Sequence, residues 1–403
     1  MDKNVTAVAL CAVGAEKIVS NELRKLKIKV EDSLYGKVRF KTGAAGLYRA
    51  LIGLRAADRV LLEAANFMAA DFDALFEGTA AAAWEQIVPK GMGLKVAKVR
   101  SNRSQLKAET SIQSIVHKAA AQRLCGKYKM NRLPECGGNT DAKAAEIRVY
   151  IEKDIVSLLV DLCGEPLFKR GYRSEGGAAP LRETTAASIV LLSGWKRKFP
   201  LYDPFCGSGT ILIEAAMYAW DIAPGLGRRF AIADMLIADN GIENSVREEL
   251  RAKIDFSRLV RIAGSDEDPR SVSIALSNFA RLRDIAEGRA PQRGIRGADA
   301  ANPDINIKTM PMSKTQSPFD VSGPAPCGFI ITNPPYGKRL GDQAKAEETY
   351  REMQVLGQTF HDWKLALITD HGGYESFFGR KADSCREISN GAIPSYFFQY
   401  ELL

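Results

Sequence analysis

The feature that most constrains the fold is the rhythm of the second half of the chain. From about residue 180 onward, helical stretches alternate with short apolar runs: Leu201-Tyr202, Val260 to Ala263, Phe329-Ile330-Ile331, Leu365 to Thr369 and Tyr396 to Tyr400. Short apolar runs of this kind suit strands buried on both faces, and strands separated by helices pair in parallel. The pattern predicts an α/β domain whose mostly parallel sheet is covered by helices on both sides. The first half reads differently. Thr6 to Leu10 predicts a strand, Ala15 to Leu26 an amphipathic helix, and Val38 to Phe40 a strand behind the Gly36-Lys37 turn. Between about 60 and 165, strand-like runs (Val60 to Leu62, Leu94 to Val99, Ile147 to Ile151, Ile155 to Asp161) accompany a helix over Ser111 to Leu124, giving a second α+β unit. Lys169 to Gly177 is basic, glycine-rich and poor in apolar residues, which predicts a linker. Ala301 to Gly328, rich in Pro, Ser, Asn and Lys without a clear period, predicts a long surface loop.

Composition sets the outer limits. The chain has 403 residues, enough for two or three domains, and 46% of them are hydrophobic, so a large core can form. A net charge of +8 admits a polyanionic partner, although both signs are abundant and mixed. The seven cysteines are dispersed without a C-x-x-C, and there are only three histidines, so no zinc spacing exists and a reducing compartment is implied. No stretch approaches the roughly 18 apolar residues of a membrane span and no cleavage-like site follows the N-terminus, which predicts a cytoplasmic protein without membrane or metal.

Three segments carry chemistry. Tyr202-Asp203-Pro204-Phe205-Cys206-Gly207-Ser208-Gly209-Thr210 reads as a strand end, a glycine turn and a helix start. Glycines let the backbone approach a ligand, and the helix start offers free N–H groups, though a plain strand–turn–helix corner has the same composition. The spacing matches neither G-x-x-x-x-G-K-[ST] nor G-x-G-x-x-G, which argues against ATP hydrolysis and standard dinucleotide binding. Ile262 to Pro269 places an acidic cluster at a strand end: Asp266 suits ribose hydroxyls, and Asp268, directly before Pro269, suits a helix cap. In Phe329 to Gly337, an apolar strand delivers Asn333-Pro334-Pro335-Tyr336. The prolines stiffen the turn and lack N–H groups, the Asn333 amide oxygen and the Pro334 carbonyl can accept from an amino group, and Tyr336 offers a face to a planar base.

In this order, the glycine turn, Asp266 and Asn333 to Tyr336 resemble class I S-adenosylmethionine-dependent methyltransferases that act on exocyclic amino groups. Over nearly its whole length the chain also resembles the bacterial THUMP-domain RNA methyltransferases, in particular the 23S rRNA guanine-N2 group. Leu167 to Arg173, Ala179 to Thr184, Ile222 to Gly225 and Phe378 to Asp383 are further matching stretches. The resemblance implies a ferredoxin-like part over 1–60, a THUMP domain that holds RNA over 61–165, a linker over 166–180, and a Rossmann-like methyltransferase domain over 181–403 with an antiparallel strand near its end. It implies S-adenosylmethionine beside Thr184, Asp203, Cys206, Gly207, Ser208 and Gly209, its ribose at Asp266 and its adenine near Asp299. Asn333, Pro334, Pro335 and Tyr336 are then the catalytic residues.

The expected partner is RNA, with 23S rRNA first, tRNA as a nearby possibility and adenine N6 in RNA or DNA as the alternative target. Lys169, Arg170 and Arg173 flank an aromatic at the domain junction, and Lys338 and Arg339 follow the catalytic loop; these five are the candidate phosphate contacts. Arg103, Lys107, Lys118, Arg123, Lys127 and Lys129 suggest a basic face on the middle domain. Amino methylation from an activated sulfonium requires no metal and no thiolate, so Cys206 is expected to pack rather than react, and His117 to be structural. A non-catalytic RNA-binding or ribosome-assembly factor is the competing class, and the joint presence of the three motifs counts against it.

Overall fold

The computed structural model describes residues 4–135, 143–173, 181–288, 305–319, 327–336, 342–391 and 393–402. Asp299, Lys338 and Arg339 lie outside the described residues.

Two seven-stranded sheets organise the described residues. The first contains β1 (Val5–Cys11), β2 (Lys29–Leu34), β3 (Lys37–Thr42), β4 (Ala57–Met68), β5 (Gly93–Asn102), β6 (Ala144–Glu152) and β7 (Ile155–Asp161), in the order β2-β3-β1-β4-β7-β6-β5. Its helices are α1 (Glu16–Lys25), α2 (Ala44–Gly53), α3 (Phe72–Ala81) and α4 (Glu109–Tyr128). The expected division at 60/61 falls inside β4. That strand pairs with β1 through Ala57 to Leu62 and with β7 through Leu61 to Met68, so both α+β units share one continuous sheet.

The second sheet contains β8 (Leu201–Asp203), β9 (Ile262–Asp266), β10 (Ile305–Thr309), β11 (Phe329–Thr332), β12 (Lys364–Thr369), β13 (Ser384–Asn390) and β14 (Ile393–Glu401). Its order is β10-β9-β8-β11-β12-β14-β13, and among these seven strands β14 is the one whose direction is reversed. The helices are α5 (Glu183–Leu192), α6 (Thr210–Ala219), α7 (Asn240–Arg251), α8 (Pro269–Ala280), α9 (Leu282–Ala286), α10 (Asp342–Glu352), α11 (Val355–Thr359) and α12 (Tyr374–Phe378).

Side chains of this sheet alternate between two cores, which explains why its strands read as unbroken apolar runs. Leu201, Ile331, Ala366, Ile368 and Phe397 join a core shared with α5, α6 and the first sheet. Tyr202, Ile330, Leu365, Leu367 and Phe398 face the other way, onto Tyr350, Leu356 and Tyr374.

Two sequence expectations need correction. Within Ala301 to Gly328, Ile305 to Thr309 is not a loop: it forms the edge strand β10, parallel to β9, with only Ile307 buried. Ile305 and Ile307 alternate with Asn306 and Lys308 and pack on the core, but two apolar residues are too short a run to stand out within a Pro-, Ser- and Asn-rich stretch. The proposed linker is also partly core: Leu167, Arg170 and Tyr172 are buried, while residues 174–180 lie outside the described residues.

The first sheet's module is docked firmly on the second. Arg49 in α2 forks onto Glu249 in α7 at 2.9 and 2.7 Å, Gly225 donates its N–H to the Ile52 carbonyl at 2.8 Å, and Val13 and Ser389 exchange bonds of 2.9 and 3.1 Å.

Candidate active site

The strand order changes direction at β8: β9 lies on one side of it and β11 on the other. In open α/β sheets a ligand crevice forms outside the carboxyl ends of the strands at such a point. The three sequence motifs end there, on β8, β9 and β11.

Hydrogen bonds tie them together. Asp203, buried at the end of β8, accepts at Oδ1 from the Thr332 hydroxyl at 2.6 Å and from the Phe205 N–H at 3.1 Å. The bond to Thr332 fixes the end of β11 immediately before Asn333. Burial pushes the Asp203 carboxyl up to about 7, and the nearby Asp266 charge adds to this, against the two hydrogen bonds. In the glycine turn, Gly207 donates its N–H to Asp266 Oδ2 at 2.9 Å, and Cys206 donates its N–H to the Ser265 carbonyl at 2.9 Å. The turn is therefore anchored on β9. Asn278, fully buried in α8, donates from Nδ2 to the Ser208 carbonyl at 3.0 Å.

Gly207 and Gly209 adopt left-handed φ values of +52° and +80°, and the second begins α6. Their surroundings differ. A Cβ on Gly209 would lie 3.0 Å from Ala275 Cβ, whereas one on Gly207 would meet nothing within 4 Å. Gly209 thus combines a left-handed backbone with tight packing on Ala275, whereas Gly207 borders open space. Asp268 accepts from the Arg270 N–H at 3.0 Å and caps α8, leaving Asp266 as the carboxylate at the crevice. The Cys206 thiol is buried, and desolvation with two nearby carboxylates holds it well above its ordinary range, so it stays protonated.

Beyond β11, Pro334 is buried, Pro335 is exposed, and Asn333 and Tyr336 are partly buried. The Tyr336 hydroxyl donates to Asn333 Oδ1 at 2.5 Å. An amide oxygen has two lone pairs, and Tyr336 takes one of them within the loop. Tyr350, which the sequence did not single out, donates its hydroxyl to the Pro335 carbonyl at 2.8 Å.

Other sequence candidates take different places. Thr184 is buried and its hydroxyl donates to Asp58 Oδ1 of the first sheet at 2.5 Å, so that hydroxyl joins the two modules instead of standing open to a ligand. Arg170, expected at RNA phosphates, is buried: it donates to the Leu167 carbonyl at 2.6 Å and pairs with Glu214 at 3.4 Å. Arg173 donates to the Leu181 carbonyl at 3.0 Å and to Thr210 Oγ1 at 2.9 Å, at the start of α6. The Arg170 charge is therefore enclosed at a buried junction and not presented to a phosphate, whereas Arg173 is partly buried and also pairs with Glu183 at 3.5 Å. Lys169 alone of the three is exposed, and it pairs with Glu165. In the middle part Arg103, Lys107, Lys118, Lys127 and Lys129 are exposed, while Arg123 forks onto Glu85 at 3.0 and 2.6 Å. His117 is exposed on α4. Among the described residues no helix is long and apolar enough to cross a membrane.

A doubly wound sheet of this order, with one antiparallel strand near the end and a glycine turn at its switch point, defines a class I methyltransferase. Comparison with known proteins narrows the class. Residues 170–287 and 297–397 match the family described as "RMKL-like, methyltransferase domain", and residues 6–61 match the RlmL ferredoxin-like domain. The chain belongs to this RlmL-like methyltransferase family. It is 34% identical to the Bacillus subtilis (strain 168) protein named "Putative RNA methyltransferase YpsC", across 99% of this chain and 96% of that one. It is 30% identical to ribosomal RNA large subunit methyltransferase K/L of Methylococcus capsulatus, covering 96% of this chain but 50% of the relative. The chain thus spans about half the length of that protein. Among solved structures, SMU.472 complexed with SAH shares 34% identity with a TM-score of 0.83, over 100% of this chain and 99% of that one. A structure from Listeria monocytogenes, named "a predicted N6-adenine-specific DNA methylase", shares 33% identity with a TM-score of 0.83, over 99% and 96%.

Proposed function

We propose that this chain transfers a methyl group from S-adenosylmethionine to the exocyclic N2 of a guanine in RNA, with 23S rRNA as the substrate. The observation that carries the reading is the placement of Asn333-Pro334-Pro335-Tyr336 directly across the β8/β11 switch point from the Gly207 turn, with Asp203 and Thr332 bonded between them. The SAH-bound relative supports the cofactor, the names of the YpsC and K/L relatives support RNA, and the resemblance to the guanine-N2 group supports the base. The name of the Listeria protein favours a second reading, adenine N6, for which the same loop is suited.

S-adenosylmethionine supplies an already activated methyl group, so the task of the protein is positioning. Gly207, Ser208 and Gly209 would hold its amino-acid end, and Asp266 its ribose. Asn333 Oδ1 and the Pro334 carbonyl accept the two amino hydrogens, aim the nitrogen lone pair into the crevice, and take up positive charge as it develops. Tyr336 releases Asn333 as the base enters and covers the base with its ring. Taking the base out of its helix costs a few kcal/mol. We assign residues 61–165 to RNA holding as a THUMP domain, 1–60 to a ferredoxin-like part sharing its sheet, and 181–403 to catalysis. We place the chain in the cytoplasm, a reading that an RNA substrate and the dispersed cysteines support.

Labelled methyl transfer to unmodified 23S rRNA, 16S rRNA, tRNA and duplex DNA, followed by nucleoside analysis, tests the proposal. N2-methylguanosine in 23S rRNA is the expected product; N6-methyladenine would replace it with the second reading, and no label on any acceptor would favour the assembly-factor class. Asn333→Ala should abolish transfer while leaving cofactor affinity nearly unchanged, and wild-type activity of the variant would refute the assignment of this residue.

A further inference from the structure

Two consecutive prolines leave the loop after β11 short of its own donors, since neither Pro334 nor Pro335 carries an N–H. The Pro335 carbonyl is served from outside by Tyr350 of α10, at 2.8 Å. Tyr350 is fully buried, its ring packed edge-on against Tyr374 at 4.9 Å and His371 at 5.7 Å. Its hydroxyl also lies 3.0 Å from Oγ1 of Thr369, the fully buried last residue of β12, and Thr369 Oγ1 accepts from the His371 backbone N–H at 3.1 Å.

Counting protons fixes the direction of this chain. A carbonyl has no proton, so Tyr350 gives its single one to Pro335. The Tyr350 oxygen then accepts from Thr369, which spends its own proton there and takes the His371 N–H on a lone pair. The relay runs His371 N–H to Thr369, Thr369 to Tyr350, and Tyr350 to the Pro335 carbonyl. Each bond polarises the next, and the Thr369 and Tyr350 hydroxyls are buried away from water, while Pro335 itself is exposed.

We propose that Tyr350 is a positioning residue for methyl transfer: through this relay it fixes the Pro335 peptide, and with it the orientation of the Pro334 carbonyl and Asn333 toward the incoming amino group. The inference rests on the reading of Asn333 to Tyr336 as the catalytic loop. Tyr350 touches neither cofactor nor base and acts only through Pro335.

Tyr350→Phe keeps the ring and its packing and removes only the donor. In labelled transfer to a mixture of unmodified 23S rRNA, 16S rRNA and tRNA, kcat should fall about ten- to thirty-fold. KM for RNA and Kd for S-adenosylmethionine should stay within about twofold. Thr369→Val should give a smaller loss, Thr369→Ser should restore activity, and the double variant should be no worse than Tyr350→Phe alone, because both residues act in one chain. A merely structural role would lower the melting temperature without changing kcat per cofactor-binding site. Wild-type kcat in Tyr350→Phe, or an equal loss of cofactor affinity, would overturn the inference. Asn333→Ala separates the two levels: wild-type transfer by that variant, or none by the unmodified enzyme, counts against the catalytic loop itself, whereas an inactive Asn333→Ala beside a fully active Tyr350→Phe sinks only the relay.

Discussion

Asp203→Asn should reshape the pH dependence of stability. The substitution preserves the acceptor that Thr332 and Phe205 use and removes the ionisation. In the wild type, burial raises the carboxyl from its ordinary 3.8 to about 7. Between these values the folded protein keeps a proton that the unfolded chain has lost, so stability falls as pH rises and levels off above about 7. At roughly 1.4 kcal/mol per pH unit, the whole window is worth about 4 kcal/mol, and the part between pH 5 and 7 about 3 kcal/mol. Relative to wild type, the Asn variant should therefore gain about 3 kcal/mol between pH 5 and pH 8. Urea denaturation of both proteins at the two pH values measures the gap, and titrations common to both cancel in the difference. Parallel stability profiles would refute the reasoning: Asp203 would then ionise at an ordinary pH, through water or a counter-charge at the crevice.

Gly207→Ala and Gly209→Ala should separate binding from folding. Gly209→Ala pays for both its left-handed backbone and the clash with Ala275, about 2–3 kcal/mol together, visible in thermal melts. Gly207→Ala should cost only about 1 kcal/mol of stability, yet weaken S-adenosylmethionine binding at least tenfold by calorimetry, because its methyl enters the ligand's space. Arg170→Met should destabilise by about 3–5 kcal/mol by leaving the buried Glu214 without its cationic partner, with only the Tyr172 hydroxyl still donating to it, and Glu214→Leu added to it should recover much of the loss. The salt dependence of RNA binding should not change; a slope reduced by about one with stability intact would show that Arg170 does meet a phosphate.

The catalytic half was legible in the sequence because its signals are local. A strand buried on both faces is a short apolar run, a left-handed turn needs glycine, and Pro269 behind Asp268 announces a capped helix. The same locality made Asp203, Gly207, Asp266 and Asn333 visible as candidates.

What escaped was set by partners distant in the chain. Arg170 has the composition of a solvated linker cation, and only the docking of α6 turns it into a core residue paired with Glu214. Thr184 bonds to Asp58, 126 positions away, and β10 is held by its ladder to β9 with an apolar face of only two residues, Ile305 and Ile307. Tyr350 gives no signal beyond that of a helix residue, because its role begins only when α10 brings its hydroxyl beneath the Pro335 carbonyl. The sequence by itself determined the strand rhythm and the left-handed glycine turn, since these depend on steric limits of neighbouring residues. Only the tertiary structure decided which charges are buried, where one module meets the other and which donors brace the loop, since burial and hydrogen bonding across long separations depend on how the elements pack.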